Sequence, residues 1–141
     1  MPIERPAIVV LAALIVRGDR FLVTRRLADT HLPGYWEFPG GKCEAGESHE
    51  ACLARELMEE LGLGVTVGAE AMVVEHAYAE RRVRLHFRWC RTDDEPRPLL
   101  GQEMRWITRE EMSALDFPEA DRALIEWLCR SGESHPAPDR S

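Results

Sequence analysis

The sequence predicts a mixed α/β chain of the α+β class, and three patterns predict it. Apolar runs of strand length recur with turn residues between them, beginning at Ile8–Val16. Arg82–Arg91 alternates apolar and polar residues with the period of a strand. Two other stretches, Ser48–Leu61 and the one after Pro118, carry apolar residues at helical spacing. At 141 residues with 45% hydrophobic content, the chain is expected to form one domain over 1–130. Residues 131–141, with two prolines and little to bury, are expected to be a frayed tail.

The elements follow in order. Ala7–Val16 is too short to span a bilayer. The turn-like Arg17-Gly18-Asp19-Arg20 and a second apolar stretch, Phe21–Val23, follow it, so it reads as half of a buried hairpin rather than a signal-peptide core. Leu32-Pro33-Gly34 breaks the chain, Tyr35–Phe38 is a short strand, and Pro39-Gly40-Gly41 ends it. The helix from Ser48 has Ser48 as N-cap and Gly62 as C-terminal stop, with Ala51, Ala54, Leu57, Met58 and Leu61 on its apolar face. Val65–Ala77 is a strand. In Arg82–Arg91, Val83, Leu85, Phe87 and Trp89 face inward, and Arg82, Arg84, His86 and Arg88 form a solvated face. Asp93–Pro98 is a polar loop and Met104–Ile107 a short strand. Pro118 sits in the first turn of a last helix, where Ala120, Ala123, Leu124, Trp127 and Leu128 share a face.

Acidic residues outnumber basic ones, 25 to 18, for a net charge of −7. That balance excludes non-specific binding to a nucleic acid polymer or an anionic membrane, which requires basic excess. Cys43, Cys52, Cys90 and Cys129 show no Cys-x-x-Cys spacing and are too sparse for a disulfide scaffold. A reduced, cytoplasmic setting is the expectation. Oligomeric state, monomer or homodimer, is open.

The chemistry concentrates in one loop and one helix. Glu44–Glu60 carries six acids and a single base, a net −5 of the total −7. At about 100° per residue, Glu56, Glu59 and Glu60 share a narrow arc with no lysine between them. Like charges at this spacing destabilise a bare helix, so something must offset them. A solvated face with counterions is one answer. A bound Mg²⁺, which takes a few carboxylates and bridges substrate phosphates, is the other. The preceding Gly40-Gly41 lets backbone approach a ligand closely.

Gly41, Glu47, Arg55-Glu56-Leu57, Glu59-Glu60 and Gly62-Leu63 stand at the spacing G-x5-E-x7-R-E-U-x-E-E-x-G-U. This resembles the Nudix box at every defined position, and the chain is identified on it as a member of the Nudix hydrolases. The resemblance implies a mixed sheet sandwiched between helices, with the box as loop–helix–loop. It implies hydrolysis of a nucleoside diphosphate linked to another group, by water attack at phosphorus with Mg²⁺ or Mn²⁺. It implies that Glu56, Glu59, Glu60 and the carbonyl of Gly40 ligate the metal, that Arg55 orients the glutamates and that Glu47 braces the loop. Glu56 is the first candidate for the general base. Glu103, near the position of an extra metal-binding acid in many relatives, is the second, with an exposed loop glutamate as the alternative.

Further segments resemble the MutT-like branch of that family. They are Phe21–Arg26, Ala28-Asp29, His31, Trp36–Lys42 and Phe117-Pro118-x-Ala120. This implies a nucleoside triphosphate substrate, 8-oxo-dGTP first, cleaved to the monophosphate and pyrophosphate. Arg26, His31, Phe38, Glu80 and Arg81 are implied to form the nucleotide pocket, with Tyr78 in place of a phenylalanine. Each has a plainer reading: Phe38 as core, His31 as a surface residue. Lys42 is set between a phosphate contact and a solvent role. Asp121 stands where the branch carries an asparagine that reads 8-oxoguanine, and an ionised carboxylate only accepts hydrogen bonds. Asp121 is also what relatives acting on CTP and 5-methyl-dCTP carry, which keeps a cytidine triphosphate as the alternative substrate. Its plainer reading is an acid at the positive end of a helix. A noncatalytic nucleotide-binding module on the same fold is the remaining alternative.

Overall fold

The computed structural model of the protein describes residues 7–30, 32–79 and 81–131. His31, Glu80 and the expected tail beyond Ser131 lie outside the described residues. Among those described, seven strands are joined into one sheet: β1 (Ile8–Arg17), β2 (Arg20–Arg25), β3 (Trp36–Glu37), β4 (Gly40–Lys42), β5 (Thr66–Tyr78), β6 (Arg81–Arg91) and β7 (Met104–Ile107). The helices are α1 (His49–Leu61), α2 (Arg109–Met112) and α3 (Arg122–Ser131), the last entered through a 3-10 turn at Glu119–Asp121.

β1 is the central strand, which explains its unbroken apolar run. It runs parallel to β6 from Ile8↔Val83 to Ile15↔Cys90. It turns into β2 through Val16↔Phe21 and Arg17↔Arg20, the hairpin read from the sequence. Alternate β1 side chains enter different cores. Leu11, Ala13 and Ile15 pack with Cys52, Leu53, Leu57 and Leu61 of α1, and Ala12 and Leu14 pack with Phe87, Trp89 and, from α3, Leu124 and Leu128. The sheet is therefore covered by helices on both faces, the mixed α+β sandwich that was expected. Each fully buried leucine contributes roughly 1.5–3 kcal/mol.

α1 starts and stops where its caps dictate. The Ser48 hydroxyl accepts from the Ala51 N–H at 3.1 Å, and Gly62 closes the helix in the left-handed region at φ 66°. Its buried stripe differs from the expected one: Cys52, Leu53, Leu57 and Leu61 face the sheet, Ala51 is exposed, and Met58 is 52% exposed. The rotation brings Glu56 and Glu60 in beside the glycines of β4. In α3, likewise, Leu124 and Leu128 are buried while Ala123 is exposed.

Three further features depart from the sequence reading. Gly40 and Gly41, expected to end the preceding strand, instead form with Lys42 a strand paired with β1 through Val10↔Lys42, Leu11↔Gly41 and Ala12↔Gly40. The polar side of β6 is only partly solvated. Arg82 and Arg84 reach Glu75 at its exposed end, but His86 is buried, and Arg88 donates through Nε to the Gly68 carbonyl at 2.9 Å and pairs with Glu50 of α1. Cys43 and Cys52, expected to be free thiols, form a disulfide that ties the end of β4 to the first turn of α1. Cys90 and Cys129 remain free. No helix among the described residues is long and apolar enough to cross a membrane.

Candidate active site

The site is built where β4 passes under α1. A side chain at Gly40 would collide with the Leu11 carbonyl, and one at Gly41 with the Glu56 carboxylate. Gly40 needs glycine because it meets backbone there, whereas at Gly41 a side chain would displace the movable Glu56 carboxylate from its place over β4. Glu60 accepts from the Gly40 backbone N–H, yet burial and the nearby charges of Glu56 and Glu37 push its carboxyl up to about 8. Burial also raises Glu56, against the opposing pull of Arg55.

Arg55 is the hub of the helix. It forks onto Glu47, Nε to Oε2 at 2.6 Å and Nη2 to Oε1 at 3.0 Å. Nη1 lies 3.4 Å from Glu59 and 3.6 Å from Glu56, and Nη2 donates to the Lys42 carbonyl at 3.3 Å. Hydrogen bonding to Arg55 and to the loop backbone, where Glu44 N–H donates at 2.9 Å, holds Glu47 down at about 2. One guanidinium thus connects the loop, through Glu47, to β4 and to Glu56 and Glu59 of α1.

Beside the carboxylates opens a cavity of about 440 Å³, within the range of small-molecule sites. Gly40, Gly41, Lys42 and Glu60 line one part of it. Arg26, Phe38, Tyr78, Arg81 and Asp121 also line it, so residues far apart in sequence share one wall. Phe38 is buried, stacked on Phe117 at 5.5 Å and edge-on to Phe87 at 6.1 Å, and so is core and cavity wall at once. Arg26 is committed to Glu37, Nη1 to Oε1 at 2.7 Å. Asp121 is 5% exposed, and burial, reinforced by Glu37 and opposed by Arg26, pushes its carboxyl up to about 8.

The NUDIX domain family profile matches residues 11–127. The chain belongs to the Nudix hydrolase family. It is 36% identical over 124 residues to the 8-oxo-dGTP diphosphatase of Escherichia coli (strain K12), covering 85% of this chain and 95% of that protein. It is 35% identical over 131 residues to the CTP pyrophosphohydrolase of the same organism, covering 91% and 96%. The crystal structure of a MutT protein from Methanosarcina mazei Go1 superposes with a TM-score of 0.82 at 26% identity, covering 94% of this chain and all of that one.

In this Nudix hydrolase the predicted site residues divide into groups. The structure brings Gly40, Lys42, Glu60, Arg26, Phe38, Tyr78, Arg81 and Asp121 to one cavity, with Glu56 against its Gly41 wall. Glu59 lies on the exposed side of α1 against Arg55. Among the described residues Glu56, Glu59 and Glu60 do not form a group whose carboxylate oxygens all lie within 4.8 Å of one another. Glu103 is not brought in: it is exposed, paired with Arg25 at 2.9 Å and absent from the cavity wall. His31 and Glu80 lie outside the described residues.

Sequence reasoning missed Glu37 and Gln102. Glu37 joins Arg26 and acts electrostatically on both Glu60 and Asp121. The buried Gln102 donates to the Glu60 carbonyl at 3.1 Å, tying the last turn of α1 to the chain before β7. Glu37 lay inside the quoted Trp36–Lys42 segment. Nothing local marks Gln102, which reaches α1 only through the fold.

The donor chemistry fits a hard divalent cation. Glu56, Glu59, Glu60 and the β4 backbone supply oxygen only, and burial with neighbouring acids raises both Glu56 and Glu60, a repulsion that a divalent cation held between them would relieve.

Proposed function

We propose that the protein is a Mg²⁺-dependent nucleoside triphosphate pyrophosphohydrolase acting on 8-oxo-dGTP or a related modified nucleotide, and that it cleanses the cytoplasmic nucleotide pool. One observation carries the reading: a carboxylate helix held by Arg55 opens onto a nucleotide-sized cavity whose wall includes a buried carboxyl able to read a base, Asp121. The names of the relatives support it, since both act on nucleotides.

Glu56, Glu59, Glu60 and the Gly40 carbonyl would hold the cation. When bound, it would neutralise phosphate charge and acidify the attacking water. Glu56 takes the proton as water adds at phosphorus and the anhydride between the α and β phosphates breaks, giving a monophosphate and pyrophosphate. Arg55 positions Glu56 and Glu59, and Glu47, fully ionised, anchors Arg55. Lys42 supplies positive charge to the phosphates. Phe38, Tyr78, Arg26 and Arg81 border the nucleoside.

Asp121 changes meaning once its burial is known. Held protonated at neutral pH, it can donate and accept together, as an amide does. That suits the altered edge of 8-oxoguanine. The cytidine reading also uses Asp121, as an acceptor from the exocyclic amine.

The test is a product assay with Mg²⁺ and, separately, 8-oxo-dGTP, dGTP, CTP, 5-methyl-dCTP, diadenosine tetraphosphate and ADP-ribose. Pyrophosphate from 8-oxo-dGTP well above that from dGTP is the expected result. Preference for CTP or 5-methyl-dCTP would move the substrate to the cytidine class. No pyrophosphate from any triphosphate would overturn the reading.

A further inference from the structure

A second group of metal-type donors lies away from the carboxylate helix. His49 opens α1, Glu70 lies on β5 and His86 on β6. Each offers one ligand atom, and the three atoms all lie within 4.8 Å of one another. The imidazole rings of His49 and His86 are 4.4 Å apart between centroids, and His86 Nδ1 is 2.5 Å from Glu70 Oε1. His86 points to the sheet face opposite Leu85 and Phe87, which line the nucleotide cavity.

The fold assembles this group from positions with no shared sequence motif. β5 shifts register on either side of Glu70, between Val67 and Glu70 and again between Glu70 and Met72. Such irregularities re-aim a side chain, and here Glu70 turns onto the face that carries His86. The N-terminus of α1 lays His49 over the same spot. Arg88, the register partner of Glu70 on β6, directs its guanidinium to the Gly68 carbonyl and to Glu50.

We propose that His49, Glu70 and His86 bind a divalent transition-metal cation of the zinc type. Two imidazoles and one carboxylate are a donor set that Zn²⁺ takes, with water completing the coordination. Imidazole suits Zn²⁺, Ni²⁺ or Cu²⁺, whereas Mg²⁺ favours oxygen, so this group does not compete with the box glutamates for their cation. Bond lengths of about 2.0–2.2 Å set tetrahedral donors about 3.4 Å apart, so donors further apart than that draw in, while Glu70 and His86 Nδ1 give up their 2.5 Å hydrogen bond and open to let the ion between them. Side-chain rotation of the exposed Glu70 and the half-buried His49 supplies that movement. The bound ion would pin the start of α1 to the β5–β6 pair.

The test uses the full chain, stripped with a chelator, kept oxidised so that Cys43 and Cys52 stay joined, and carrying Cys129→Ser. Zn²⁺ is titrated calorimetrically in saturating Mg²⁺, and the zinc environment is read by X-ray absorption. One equivalent should bind, through two imidazole nitrogens and oxygen. His49→Ala and Glu70→Gln should each weaken binding at least about tenfold, while Mg²⁺-supported turnover stays at the level of the parent. Glu59→Gln should leave Zn²⁺ binding unchanged. Both His49 and Glu70 are at the surface end of the cluster, so these variants test it even if His86→Ala fails to fold. Absence of Zn²⁺ binding in Mg²⁺, wild-type affinity in His49→Ala, loss in Glu59→Gln or sulfur in the zinc shell would each overturn the proposal. None of these results bears on the triphosphate reading.

Discussion

Arg55 and Glu47 form a two-bond fork, Nε to Oε2 at 2.6 Å and Nη2 to Oε1 at 3.0 Å, joining the body of α1 to the loop before it. The same guanidinium is within 3.6 Å of Glu56. Loop position and glutamate position are therefore set by one group.

Arg55→Lys keeps the charge but loses the planar fork. It should retain the fold and lower kcat by about a hundredfold, the scale associated with ångström-level misplacement of catalytic groups. A steady-state assay with circular dichroism on the same preparation checks this. Turnover within a factor of two of wild type would show that the fork does not position the glutamates.

Glu56→Gln removes the proposed base while keeping nearly the same shape. Turnover should fall by about 10²–10⁴-fold, the usual contribution of a general base. Glu103→Gln, by contrast, breaks only an exposed pair with Arg25 and should cost less than about 1 kcal/mol in stability. Its turnover should stay near wild type. If the two variants trade places, Glu103 and not Glu56 is the base.

Asp121 couples stability to pH. Its carboxyl is raised to about 8 in the folded chain from 3.8. Between those values the folded chain holds a proton that the unfolded chain has released. The stabilisation is thus full below the unfolded value and is lost as pH rises toward the folded one. Asp121→Asn is neutral throughout. It should unfold at higher denaturant than wild type at pH 8, and the difference should shrink steadily as pH falls, the two proteins converging near pH 4. Parallel stability curves for the two proteins would show that Asp121 is not held protonated.

The disulfide between Cys43 and Cys52 closes a loop with a sequence separation of 9. Chain entropy predicts a contribution of about 2–3 kcal/mol for a loop of this size. A phosphine reductant, or the double variant Cys43→Ser/Cys52→Ser, should lower the melting temperature. Because the loop contains Glu47, the reduced protein should also need more Mg²⁺ for half-maximal activity. An unchanged melting temperature would show that the bond adds nothing to the fold.

Several elements were legible because their causes are local. α1 was readable to the residue from Ser48 and Gly62, since a hydroxyl cap and a left-handed stop act within one turn. β7 stands at Met104–Ile107 as read, but the last helix starts a turn later than read: Pro118 caps a 3-10 turn at Glu119–Asp121, and α3 begins at Arg122. β4 was not legible, because Gly40 and Gly41 have no strand propensity and pair with β1 only through close backbone approach. Met58 was assigned to the core because periodicity gives an apolar arc but not the orientation that docking selects. His86 and Arg88 were read as solvated because the helix that covers them comes from elsewhere in the chain.

By itself the sequence determined the family chemistry. Glu47, Arg55, Glu56, Glu59 and Glu60 stand at spacings that a loop and a helix convert directly into a carboxylate face, and short-range geometry needs no tertiary information. Only the tertiary structure decided what surrounds that face. It joined Cys43 to Cys52, set Glu37 beside Arg26, moved Glu103 out to Arg25 and buried Asp121 in the cavity wall. The reason is physical: proximity and desolvation are properties of packed space, and a carboxyl's charge at neutral pH depends on its neighbours rather than on its place in the chain.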